Sequence, residues 1–226
     1  MQPNIYQPTA SSIHQDSSIP DYGYQGNLRL SRSRCASIPQ SENCRLWITG
    51  LPPSCDYHTL LTAVQDAGPV YATHITGPVI HSNPQNAYKN IYTAAVSLTF
   101  FDERGTNRFL AQNAVTPFTV AGYTTKVIHH RIRTKPVAID GRSRVLQITG
   151  SPDIINPDTL QALFQRFTAY FDIDYANYEE GVDDTNTVEV AFGSFRAQAQ
   201  PIFMGLRHTP GIWVVKYVPD PCQAQN

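Results

Sequence analysis

The chain has 226 residues, 41% of them hydrophobic, and its 17 basic and 18 acidic side chains leave a formal net charge of -1. That hydrophobic share supports a packed core and excludes a wholly disordered chain; the length allows one large domain or two small ones. The near-neutral total excludes a uniformly polybasic or polyacidic protein.

Met1 to about Gln40 is rich in Gln, Ser, Pro, Asn and Tyr and has no apolar periodicity, so residues 1–40 are expected to form a disordered tail. Its end carries Arg29, Arg32 and Arg34. In "RCASIP", Arg34 stands three residues before Ser37 and Pro39 two after it. This resembles the phosphoserine motif read by adaptor proteins, which makes Ser37 a phosphorylation candidate and a phosphoserine adaptor a possible partner.

"CRLWITGL" then alternates as a strand until Pro52-Pro53. "DYHTLLTAVQDAG" places Leu60, Ala63, Val64 and Ala67 at helical spacing, with Asp56 as N-cap and Gly68 as stop. "VYATHIT" reads as a strand, "HSNPQNAYKN" as a polar loop, and "YTAAVSLTFF" as a strand with Val96, Leu98 and Phe100 inward. A helix capped by Asp102 and the strand "TTKVIHHRI" complete the unit. The same order then recurs. "LWITGLP" at Leu46–Pro52 returns as "LQITGSP" at Leu146–Pro152, an offset of 100 residues, and Thr59-Leu60 returns as Thr159-Leu160. In the second copy Asn156 is the expected N-cap with Pro157 at the first helical position, and Pro201 predicts a kink or a late start for the last helix. Strand, helix, two strands, helix, strand, twice over, predicts an α+β protein: two ferredoxin-like βαββαβ sandwiches, each a four-stranded antiparallel sheet with two helices on one face. The expected boundaries are 43–135 and 143–220, with a linker at 136–142. The other face of each sheet is left for function.

Leu46-Trp47-Ile48-Thr49-Gly50-Leu51 resembles the first-strand signature of the RNA recognition motif family. The resemblance implies an RNA-binding protein with two tandem copies, in which sheet aromatics stack on bases. Both copies are degenerate. With Phe100 as anchor, the third-strand surface positions fall on Ala95 and Ser97, so Trp47 alone remains of the stacking platform. In the second copy Gln147 replaces the tryptophan, and Thr187 and Glu189 take the third-strand positions. If Ile173 and Tyr175 face inward, Asp172 and Asp174 join Glu189 on the open face, where carboxylates repel phosphate. The copies are therefore expected to divide labour.

Strand alternation places Trp47 and Thr49 opposite Leu46 and Ile48, on the open face. His74, Ser97, Lys126 and His130 are expected to share it. "HHRIRTKPVAIDGRSR" adds Arg131, Arg133, Lys135, Arg142 and Arg144 as phosphate contacts from the linker. Residues 45–135 hold eight Lys/Arg against four Asp/Glu, and residues 145–226 hold four against ten, which suggests different partners for the two copies. Single-stranded RNA is the expected partner of the first. Gln147, Asp174 and Glu189 mark a protein-binding surface in the second, and the alternative to RNA binding is a protein-interaction scaffold throughout. No paired nucleophile and base, phosphate-cradling loop or C-x-x-C metal motif occurs, so no enzyme activity, cofactor or metal is expected. With no long apolar run and no signal-like N-terminus, the expected setting is intracellular, nucleus or cytoplasm, without membrane contact.

Overall fold

The structure is a computed structural model that describes residues 35–181 and 183–223. The tail through Arg34 lies outside the described residues, as does the Arg34 of the phosphorylation motif. Cys35 onward forms one compact unit containing both copies of the repeat.

The first copy comprises β1 (Arg45–Leu51), α1 (Tyr57–Ala63), β2 (Val70–Thr76), β3 (Ala94–Phe100), α2 (Glu103–Val115), a short β4–β5 hairpin (Thr119–Val120 and Tyr123–Thr124) and β6 (Lys126–His129). Its sheet order is β2-β3-β1-β6, antiparallel throughout. The second copy comprises β7 (Val145–Gly150), α3 (Pro157–Phe167), β8 (Ile173–Glu180), β9 (Asn186–Phe192), α4 (Gln200–Leu206) and β10 (Ile212–Val218), in the antiparallel order β10-β7-β9-β8. The chain thus has the α+β, twofold βαββαβ architecture that the repeat predicts.

Local chemistry explains the helix limits. Asp56, Asp102 and Asn156 each accept a hydrogen bond from the backbone N–H three residues on, satisfying donors that a helix start leaves open. Helix α1 ends at Ala63, well before Gly68, because Val64 turns extended and drops into the core with Ala67. Pro201 is the second residue of α4 and directly follows a wide π turn at Phe195–Ala199, and the Ala197 carbonyl, four residues before it, accepts from Thr168 Oγ1. In each copy the helices cover one sheet face. Leu46, Ile48, Val96 and Leu98 pack under Leu60, Leu61 and Phe109, while Leu146, Ile148, Val188 and Val190 pack under Leu160, Phe164 and Ile202.

The two copies are fused. Phe101, one residue past β3, is fully buried in the second core, with its ring 5.2 Å from that of Tyr71 and 5.1 Å from that of Phe195. The expected linker is docked as well: Val137 and Ile139 pack on the second core, and Val137 N–H donates to the Phe101 carbonyl at 2.8 Å. In return, Cys222 is fully buried in the first core, and its carbonyl accepts from the N–H groups of Ala67 and Gly68. A Cβ at Gly193 would lie 2.4 Å from the Tyr57 ring, so only glycine lets α1 approach the end of β9 this closely. Residues 35–40 also depart from the tail expected for them. Ala36 N–H donates to the Arg133 carbonyl and Arg133 Nη1 to the Ile38 carbonyl, which ties this stretch to the chain leaving β6. Ser37 there is exposed.

Candidate nucleic-acid interface

Cross-strand pairing sets the open face of the first sheet in three rows. The middle row runs His74, Ser97, Trp47, Ile128, and one flanking row runs Thr76, Ala95, Thr49, Lys126. In the third, Ala72 and Thr99 lead to Arg45, whose carbonyl accepts from His130 N–H. Trp47 is half-buried at the centre, flanked on β3 only by small side chains. His130 meets it edge to face, with ring centroids 5.6 Å apart. Arg45 Nε donates to Ser97 Oγ at 2.6 Å, which helps to bury Ser97. The structure therefore brings Trp47, Thr49, His74, Ser97, Lys126 and His130 onto one surface.

His130 adds a ring there but no charge. Burial, reinforced by Arg45, pulls its pKa down to about 4, and its Nδ1 accepts from Ile132 N–H at 2.9 Å. Lys126 is exposed on this face, and Arg131 and Lys135 are exposed in the chain leaving β6. Arg133 is partly buried against the Ile38 carbonyl. Arg142 is engaged with the linker itself: it donates to the carbonyls of Ala138 and Ile139 and to Asp140, and its guanidinium lies over the Phe195 ring.

Arg144 is a correction. Expected among the phosphate contacts, it is 1% exposed at the junction of the copies. Its Nε donates to both Asp220 oxygens at 3.0 and 3.1 Å, and its Nη1 to Asp174 Oδ2 at 2.7 Å and to the Phe192 carbonyl at 3.0 Å. Burial alone would lower its pKa, but Asp220, Cys222 and Asp174 outweigh that and hold it above its usual value. Asp174 is the second correction. The β8–β9 register shifts between Ile173 and Tyr175, so Asp174 is an extra residue and turns into the junction, where its Oδ1 also meets His58 Nδ1 at 3.0 Å. The same shift puts Tyr175 with Glu189, their side chains 2.9 Å apart, and seats Asn177 opposite Glu189. Asp172, also expected outside, instead accepts from Tyr170 and Gln198. Gln147 and Glu189 do lie side by side on the second sheet's open face.

Two features escaped the sequence reading. The β2–β3 connection is more than a polar loop: Pro84–Lys89 forms a 3-10 turn, Val79 bridges Ile91, and Tyr88 and Tyr92 stand 80% and 67% exposed. The alternating "IYT" beyond the Asn-rich stretch was the available signal. The other is Trp213, 56% exposed on β10. Among the described residues no group of three His, Cys, Asp or Glu is placed to hold a metal, and no helix is long and apolar enough to cross a membrane.

No protein-family model matches the chain, and no curated protein matches it. Solved structures similar to it include tandem RNA recognition motif structures and, among others, protein BT0572 from Bacteroides thetaiotaomicron (9% identical, 76% and 94% covered, TM-score 0.22). RNA recognition domains 1 and 2 of Sex-lethal from Drosophila melanogaster are 19% identical, with 78% of this chain and 100% of that one covered and a TM-score of 0.27. Domains 1 and 2 of Prp24 from S. cerevisiae are 14% identical (79% and 97% covered, TM-score 0.31), and the first two domains of the yeast poly(U)-binding protein are 12% identical (77% and 99%, TM-score 0.29). The architecture itself is two ferredoxin-like βαββαβ units, each exposing one face of a four-stranded sheet.

Proposed function

We propose that the chain binds single-stranded RNA without chemistry, through the open sheet face of the first copy. The observation that carries this reading is the setting of Trp47: an aromatic ring in the middle of the sheet face, flanked on β3 by small side chains, backed edge-on by His130 and one row from Lys126. A base can stack on such a ring while cations beside it meet the backbone phosphates. Tyr88 and Tyr92 add two exposed rings in the connection between β2 and β3, which leaves β2 two residues past His74. Lys126, Arg131 and Lys135 are the phosphate contacts in this reading; Arg133 and Arg142 act mainly as struts, and Arg144 takes no part.

The protein-scaffold reading keeps one support, in the second copy. Glu179, Glu180, Asp183 and Asp184 are all exposed at the β8–β9 end, a surface suited to a basic peptide and unsuited to phosphate. An intracellular setting, nuclear or cytoplasmic, goes with either reading.

A filter-binding titration of short randomised single-stranded RNA at two salt concentrations separates them. Replacing Lys126, Arg131 and Lys135 together with Gln should weaken binding about equally for all sequences and flatten the salt dependence by up to roughly two units of slope. An unchanged slope would remove these cations from the interface. Absence of RNA binding by the parent chain would leave the scaffold reading.

A further inference from the structure

The second copy lost the tryptophan of its first strand, yet it carries one on its last. The β10–β7 register runs from Ile212↔Gly150 directly to Val214↔Thr149, which leaves Trp213 as an extra, bulged residue. Ile212 and Val215 on either side pack against the second core, whereas Trp213 and Val214 stand 56% and 49% exposed. Lys216, exposed, lies across from Gln147. The first sheet combines Trp47, Thr49 and, on the neighbouring strand, Lys126. The second combines Thr149 with Trp213 and Lys216 on its neighbouring strand. The same three side-chain types recur, with the ring moved one strand over.

We infer that Trp213 is a second stacking site for a nucleobase, with Lys216 beside it for the adjoining phosphate. This rests on the reading that the chain binds single-stranded RNA, and it extends that reading to the copy that sequence comparison set aside. The acidic groups do not forbid it. Glu179, Glu180, Asp183 and Asp184 belong to β8 and the turn after it, at the opposite edge of the sheet, and the carboxylate of Glu189 is engaged by the Tyr175 hydroxyl. A second copy of the chain is the weaker occupant. One aromatic ring covers about 150–250 Å², well short of the roughly 800 Å² per partner of a stable interface, and an edge-strand lysine opposes strand pairing.

The chain has two tryptophans, so each site can be read alone. Trp47→Phe leaves Trp213 as the sole indole, and Trp213→Phe leaves Trp47. Each full-length variant is titrated with short randomised single-stranded RNA, and with heparin as a base-free polyanion, while tryptophan emission is followed. The proposal expects RNA, but not heparin, to quench Trp213 in the Trp47→Phe protein, and Trp213→Ala to weaken RNA binding about five- to a hundredfold. Quenching confined to Trp47 would overturn the proposal and leave the first site standing. Quenching confined to Trp213 would uphold it and remove Trp47, and quenching of neither would end both. Equal quenching by heparin, or Trp213 emission that follows protein concentration without RNA, would assign the residue to polyanion contact or self-association and overturn stacking.

Discussion

Replacing Arg144 with Ala should destabilise the chain by about 3–5 kcal/mol, because the substitution leaves the carboxylates of Asp220 and Asp174 buried without their cation. Asp220 comes from the C-terminal segment and also accepts from Val70 N–H of the first copy, while Asp174 comes from β8 and meets His58 of α1. The guanidinium therefore fixes two carboxylates, each of which in turn contacts the first copy. Lysine should rescue little, since a single ammonium cannot reproduce this planar fork. Chemical denaturation followed by circular dichroism and by tryptophan emission should show one shared transition in the parent chain and a large loss of stability in the variant. A loss below about 1 kcal/mol would mean that the network contributes little net stability.

Trp47→Ala should weaken binding of short single-stranded RNA by about ten- to a hundredfold, within the range for loss of one stacked base. Its ring is half-buried with His130 as its aromatic neighbour, outside the apolar core, so unfolding stability should fall far less than for Arg144→Ala. Trp47→Phe should retain most of the affinity, because it keeps a flat ring. Equal binding by the Ala variant and the parent, within about twofold, would exclude Trp47 from the interface.

The parts of the fold legible in the sequence were those governed by local period. Alternation placed Leu46, Ile48, Val96, Leu98 and Phe100 in the core and Trp47 and Ser97 on the opposite sheet face, and the caps at Asp56, Asp102 and Asn156 marked the helix starts. What alternation cannot show is a bulge, since one extra residue reverses every facing beyond it. Asp174 was misplaced for that reason, and Trp213 was lost inside an apparently regular "IWVVKYV". Arg144 failed differently. Its partners stand 30 and 76 residues away, and a run of basic residues looks solvated whether or not a carboxylate pair waits for one of them. The linker did carry a usable signal: Val137 and Ile139 alternate within the charged stretch, and both are anchors.

The hydroxyl of Ser194 reaches across the junction, accepting from Thr73 N–H at 2.9 Å and donating to the Thr73 carbonyl at 3.1 Å. Thr73 lies on β2, the outer strand of the first sheet. An outer strand presents unsatisfied backbone groups in a row, a template on which another chain can add. Here one side chain, borrowed from the other copy, occupies that template midway along the strand. The second copy thus covers part of this strand's border, and cutting the pair apart would uncover free backbone groups as well as a core.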